Sequence, residues 1–118
     1  MWVFSTIGFF SVVQKPGDSD LTVRARSAGD LDRLREKYLP DLSPTSATPK
    51  ADYAFRARVP HSSFGRALAV MAADIRYPNF KDEVARTQGS GRAGVYAAVW
   101  EAARHIPSLA GLTAGRRK

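Results

Sequence analysis

The stretch DLTVRAR, residues 20–26, decides the fold because apolar and polar residues alternate along it. Successive side chains of a β-strand point to opposite faces of the sheet, so the pattern predicts a strand with one buried face. The buried positions are Leu21, Val23 and Ala25, and the opposite positions are Thr22, Arg24 and Arg26.

A second alternating stretch, ADYAFRARV, covers residues 51–59 and is followed by Pro60. It predicts another half-buried strand that ends at this proline, which has no backbone N–H to continue the ladder. One face carries Tyr53, Phe55, Ala57 and Val59, and the other carries Ala54, Arg56 and Arg58.

Residues 2–14 (WVFSTIGFFSVVQ) are rich in β-branched and aromatic residues and show no helical period. This composition predicts one buried strand. Pro16-Gly17-Asp18 is a turn signal, so we expect residues 2–14 and 20–26 to pair as an antiparallel hairpin.

Four helices are predicted from capping residues and apolar periodicity. Ser27 and Asp30 have the spacing of a capping box, with Asp in place of Glu. The predicted ranges are about 30–38, from Ser62 or Ser63 to about Arg76, from Asn79 to about Gln88, and about 92–105. The predicted apolar stripes are Phe64, Leu68, Met71 and Ile75 in the second helix, and Val95, Val99 and Ala103 in the fourth.

The resulting order is β-β-α-β-α-α-α, with the proline-rich residues 40–50 as a loop. It predicts an α+β fold in which helices pack on one face of a small antiparallel sheet. The ferredoxin-like plait is the nearest common architecture, although its order, βαββαβ, matches only in part.

The chain has 118 residues, 18 Lys+Arg against 11 Asp+Glu, and a net charge of +7. This length predicts a single domain, over residues 1–107, with a flexible basic tail over 108–118. The tail holds three of the positive charges, on Arg116, Arg117 and Lys118.

Cysteine is absent, which excludes disulfides, thiol nucleophiles, zinc–cysteine sites and iron–sulfur clusters. The apolar N-terminal run is too short to span a bilayer and lacks the positive start of a secretory signal. We therefore expect a soluble cytoplasmic protein with no membrane partner and no cofactor.

Alternation places four arginines on the face of the sheet that points away from the helices. Such faces bind RNA or single-stranded DNA when arginine contacts phosphate and aromatic rings stack on bases. Rings from Trp2, Phe9 or Phe10 are candidates for stacking. A solvated face or a homodimer surface explains the same pattern. The candidate anion-binding residues are Arg24, Arg26, Arg56, Arg58 and Lys15.

Residues 89–94 (GSGRAG) match the G-x-G-x-x-G pattern of dinucleotide-binding loops. That loop requires a strand before it and an acidic residue about 20 positions later. A predicted helix precedes this segment, so we interpret it as a joint between helices, with phosphate binding by its backbone N–H groups and Arg92 at the start of the fourth helix as the alternative.

A candidate pocket for a small enzyme is predicted near the third and fourth helices, beside the charged face of Lys81, Asp82, Glu83 and Arg86, in which Asp82 and Arg86 have the spacing of a helical ion pair. Its candidate lining is Tyr77, Lys81, Arg86, Arg92 and Tyr96. His61, beside Ser62 and Ser63, and His105 lie far apart without clustered carboxylates, so we assign no catalytic residue and no metal ligand.

Three segments are similar to a family of small bacterial and phage proteins that has no assigned activity. They are GFFSVV at 8–13, ADYAFR at 51–56 and YPNFKDEVA at 77–85, followed by Tyr96 and Trp100. The resemblance implies no substrate and no functional residue, and it favours a free-standing bacterial cytoplasmic domain.

The sequence therefore favours a non-enzymatic binding module that takes nucleic acid, another polyanion or an acidic protein on its arginines. A homodimeric interaction domain and a small enzyme with a site between the C-terminal helices are the two alternatives.

Overall fold

A computed structural model describes residues 1–108, and their contacts divide into two compact units. The first covers Met1–Pro78 and the second begins at Asn79. The predicted tail, apart from Ser108, lies outside the described residues. Within residues 1–108, no helix is both long enough and apolar enough to cross a bilayer.

The first unit contains a five-stranded sheet and two helices. The sheet order is β1-β2-β3-β5-β4, and every neighbouring pair is antiparallel. The strands are β1 (Trp2–Ser5), β2 (Gly8–Val13), β3 (Leu21–Ala25), β4 (Ser46–Ala47) and β5 (Phe55–Val59). The helices are α1 (Ala28–Lys37) and α2 (His61–Ala73), and the second unit adds α3 (Phe80–Gln88) and α4 (Ser90–Ala103).

The prediction of an α+β fold with an antiparallel sheet is confirmed. Side chains from α1 and α2 share one core with the inner face of the sheet. The plait also packs helices on one face, but here three strands precede the first helix, so the connectivity differs from βαββαβ.

The prediction of one strand over residues 2–14 is wrong, because these residues form the β1–β2 hairpin. Ser5 Oγ donates to Gly8 O (2.9 Å) and accepts from Ile7 N–H (3.3 Å), which closes the turn.

The prediction that residues 40–50 form only a loop is wrong in part, because this segment contains β4, which pairs with β5.

Register divides the sheet residues between two faces. On β3 and β5, Val23 lies opposite Ala57, and both are buried in the core. On β1 and β2, Val3 lies opposite Phe10 on the same face. Leu31 and Leu34 of α1 and Phe64 of α2 complete this core.

The predicted capping box at Ser27 does not form, since Ser27 makes no side-chain cap. Asp30, 2% exposed, instead accepts a hydrogen bond from Phe9 N–H (3.0 Å) and pairs with Arg33. Arg33 Nε also donates to Ile7 O (2.8 Å). These bonds hold α1 against the β1–β2 turn, and we call Asp30 and Arg33, with the backbone groups of Ile7 and Phe9 that they contact, the turn clasp.

Helix α2 begins at His61, before either predicted cap. Ser63 is buried and donates to the Asp41 carboxylate. The predicted stripe holds at Phe64, Leu68 and Met71, but Ile75 lies beyond the end of the helix and is 57% exposed.

At the C-terminal ends of α1 and α2, Tyr38 donates to Asp74 (2.7 Å), and burial together with this carboxylate raises the pKa of Tyr38 to about 12.

The second unit is a pair of packed helices. The Asn79 cap is confirmed, since its Oδ1 accepts from Asp82 N–H (2.9 Å). Gly89, at φ +89°, joins α3 directly to α4. Phe80 and Tyr96 stack with ring centroids 5.7 Å apart. The predicted α4 stripe of Val95, Val99 and Ala103 is wrong, because all three are exposed and Ala93 and Tyr96 turn inward instead.

We expect Gly8→Ala to destabilise the protein by about 1–3 kcal/mol through overpacking. A Cβ atom at Gly8 would lie 2.6 Å from Asp30 Cγ, and Asp30 is held in place by its own bonds. Chemical denaturation measures the change.

The matched control is Gly65→Ala in α2, where an added Cβ meets no atom within 4 Å. Alanine there should stabilise the helix by about 0.5–1 kcal/mol. Equal stability of the two alanine variants would contradict the steric role of Gly8.

Candidate functional site

Register places the strand arginines on one face of the sheet, opposite the core. Arg24 on β3 lies directly across from Arg56 on β5, and Arg58 lies across from Thr22. Arg26 follows β3 and continues its alternation. We call this surface the arginine face.

One row of the arginine face crosses all five strands. The paired positions are Trp2, Ser11, Arg24, Arg56 and Ser46, from β1 to β4. Neighbouring strands are about 4.8 Å apart, so this row sets a ring, a hydroxyl, two guanidinium groups and a second hydroxyl side by side. We call it the central row.

The two inner arginines, Arg24 and Arg56, have polar partners but no carboxylate partner among residues 1–108. Arg24 Nη2 donates to Ser11 Oγ (2.7 Å), and Arg56 Nη2 donates to Tyr53 O (3.2 Å). The Nε atom of each is buried without a hydrogen-bond acceptor in the described structure. Neither guanidinium charge is therefore paired with a carboxylate in the described residues.

The two outer arginines are paired with carboxylates. Arg26 bonds to Asp52 (2.8 Å), and this hydrogen bond raises the pKa of the Arg26 guanidinium. Arg58 lies 3.6 Å from Asp18, too far for a hydrogen bond. The alternative of an arginine face neutralised by carboxylates thus fits Arg26 but not the inner pair.

Tyr53 was predicted on the core side, and this is wrong. The strand begins only at Phe55, so the alternation does not extend back to Tyr53. The guanidinium groups of Arg24 and Arg26 each lie 4.7 Å from the centroid of the buried Tyr53 ring. The Tyr53 ring therefore lies on the arginine face and makes a cation–π contact with the inner arginine Arg24.

A cluster of aromatic rings lies next to the inner arginines. Phe4 and Phe9 stack with centroids 4.3 Å apart, and Trp2 meets Phe9 edge-on at 5.7 Å. Trp2 is 66% exposed. We call Trp2, Phe4 and Phe9 the ring cluster.

The sequence hypothesis named Trp2 and Phe9 correctly as residues of this face but included Phe10, which is 1% exposed in the core. It missed Phe4. The period of two from Trp2 to Phe4 indicates that these two rings share a face. A single strand over residues 2–14 hides this signal, because it places Phe4 and Phe9 on opposite faces.

A hollow of about 330 Å³ opens at the β4 side of the arginine face. Its charged residues are Lys15, Asp18, Arg56 and Arg58, and its hydroxyls come from Thr22, Ser43 and Ser46. We call it the cationic hollow. Lys15, predicted only from its place near the hairpin turn, thus joins Arg56 and Arg58, whereas Arg24 and Arg26 do not line the hollow.

The second unit has its own hollow, of about 330 Å³, lined by Asn79, Phe80, Lys81, Tyr96, Ala97 and Trp100. Of the predicted pocket residues, Lys81 and Tyr96 line it. Arg86 and Arg92 do not, and Tyr77 belongs to the first unit. Arg86 pairs with Glu83 rather than with the expected Asp82.

The two histidines and the glycine-rich segment are the remaining motifs of the sequence. His61 and His105 are both exposed, and no three side chains of metal-ligating type are grouped within residues 1–108. Residues 89–94 follow α3 instead of a strand, but the predicted joint is wrong beyond Gly89, because residues 90–94 already form the start of α4.

Comparisons with protein-family models, with curated proteins and with solved structures find no match to this chain.

We expect Arg56→Gln to raise the free energy of unfolding at low salt by about 0.2–1 kcal/mol. Like charges directly opposite in a β-ladder are destabilising by this order, and glutamine retains a donor for Tyr53 O. Urea denaturation in low-salt buffer provides the measurement. A clear loss of stability would show that Arg56 serves the fold and not a ligand.

Proposed function

We propose that this protein is a non-enzymatic module that binds single-stranded nucleic acid on its arginine face. The observation that carries the proposal is the opposed pair Arg24 and Arg56, which lacks a carboxylate partner in the described residues and lies beside the ring cluster.

The opposed pair favours an anionic ligand on energetic grounds. Two cations at directly opposed positions repel each other, and neither is paired with a carboxylate in the described residues. A phosphate between them would accept hydrogen bonds from both guanidinium groups, which suit phosphate geometry. The free protein is therefore arranged to gain from binding an anion at this point.

The ring cluster favours a nucleic acid over other polyanions. Base–aromatic stacking contributes about 1–3 kcal/mol per base and tolerates any sequence. Trp2 offers an exposed ring one row position from Ser11 and two from Arg24. Stacking needs unpaired bases, so the combination suits a single strand better than a duplex.

We expect Arg24→Ala combined with Arg56→Ala to weaken binding of a single-stranded decanucleotide and to flatten its salt dependence. Each lost phosphate contact removes about 0.7 from the slope of log K against log salt for single strands, so the double variant should lose about 1.4. Fluorescence anisotropy at several salt concentrations measures this slope.

The matched control is Arg66→Ala combined with Arg76→Ala, which removes the same charge from α2 and the residues after it. It should keep the slope of the wild-type protein. If both double variants lose the same affinity, binding depends on net charge alone and the proposed face is wrong.

A homodimer through β1 is the second candidate function, favoured by one observation. β1 is an edge of the sheet in the described residues, and the ring of Trp2 on it is mostly exposed. Edge strands with exposed apolar residues pair readily with other chains.

For a β1 dimer, we expect light scattering to give twice the chain mass, and Trp2→Arg to restore the monomer. Trp100→Arg, at the similarly exposed tryptophan of α4, is the control and should leave the mass unchanged. A wild-type monomer at high concentration would exclude this candidate and leave the ring cluster free for bases.

A further inference from the structure

We infer that the cationic hollow is a site for a phosphate monoester, namely the terminal phosphate of the bound strand. This inference rests on the proposed function for the strand itself, but it adds a preference for strand ends that carry phosphate.

The charge of the hollow matches a monoester better than a phosphodiester. Lys15, Arg56 and Arg58 supply three positive charges and Asp18 supplies one negative charge, so the lining has a net charge of +2. A phosphate monoester carries about −1.5 to −2 near pH 7. An internal phosphodiester carries only a single negative charge.

The donors of the hollow are available to a ligand. Arg56 makes one side-chain hydrogen bond, from Nη2 to Tyr53 O (3.2 Å), and has no carboxylate partner in the described residues. Arg58 is not hydrogen-bonded to Asp18 at 3.6 Å, and Ser46 Oγ makes only a long contact with Arg56 O (3.4 Å). A terminal phosphate has three acceptor oxygens, which can take hydrogen bonds from several of these donors at once.

The position of the hollow suits the end of a bound nucleic-acid strand. Arg56 belongs to both the central row and the cationic hollow, so a chain of nucleotides along the row reaches the hollow at that residue. β4 is only two residues long and forms the last strand of the described sheet. The hollow therefore lies at the edge of the described sheet, where a nucleic-acid strand bound across the arginine face would end.

The size of the hollow is consistent with this ligand. Pockets for small molecules typically begin at about 300 Å³, so a space of about 330 Å³ admits a phosphate together with part of its sugar. The same chemistry could come from a free mononucleotide, and the experiment separates the two sources.

The test compares three decanucleotides of one sequence that carry a 5′-phosphate, a 3′-phosphate or hydroxyls at both ends, with adenosine monophosphate as a fourth ligand. Competition against a labelled hydroxyl-ended strand and direct calorimetry give the affinities. We expect one phosphorylated strand to bind about tenfold more tightly than the hydroxyl-ended strand, since hydrogen bonds from charged donors to phosphate oxygens are stronger than those between neutral groups.

Lys15→Ala and Arg58→Ala should each reduce this preference, while Arg26→Ala, on the same face but outside the hollow, should preserve it. Lys15 follows β2 in the turn, so its variant tests the site even if the β5 variant folds poorly. A preference that survives in both hollow variants would overturn the inference.

The remaining outcomes distinguish the inference from the function on which it rests. Equal binding of all three strands overturns the phosphate site and leaves single-strand binding intact. Binding of adenosine monophosphate that is lost in Lys15→Ala, without binding of any strand, supports the monoester site but assigns it to a free nucleotide and refutes the proposed function. No binding of any ligand overturns both.

Discussion

The antiparallel register of β3 against β5 is the constraint on which the site depends. It sets Val23 opposite Ala57 in the core and Arg24 opposite Arg56 on the other face. A slip of one residue would turn every side chain to the wrong face and would bury two guanidinium groups among Leu31, Phe64 and their neighbours. Burial of the apolar residues therefore places Arg24 opposite Arg56, although the repulsion between their charges is unfavourable.

A second constraint links the helical layer to the ring cluster. The turn clasp ties α1 to the β1–β2 turn through Asp30 and Arg33. Phe9, whose amide donates to Asp30, carries a ring of the cluster on the face opposite the helix. A buried carboxylate on one side of the sheet thus sets where the aromatic surface lies on the other.

The strand patterns predicted the fold class and the shared face of the four strand arginines because a period of two follows from local geometry. The same reasoning failed at Tyr53, where the chain bends before the strand begins, and at Phe10, where a hidden turn changed the alternation. It also failed at Asp30, because a capping box and a tertiary hydrogen bond demand the same residue type at the same position. Ser43 and Ser46 carried no signal, since nothing local distinguishes them within a proline-rich loop.

The sequence by itself determined the antiparallel α+β architecture and which face of β3 and β5 carries cationic side chains, since alternating hydrophobicity is enough to orient a strand. Only the tertiary structure decided which arginines are neutralised and which are not. Asp52 and Asp18 come from segments remote along the chain from Arg26 and Arg58, and loop closure brings them together. The meeting of Lys15, Ser46 and Arg56 in one hollow depends on the same long-range pairing of strands, and no local pattern encodes it.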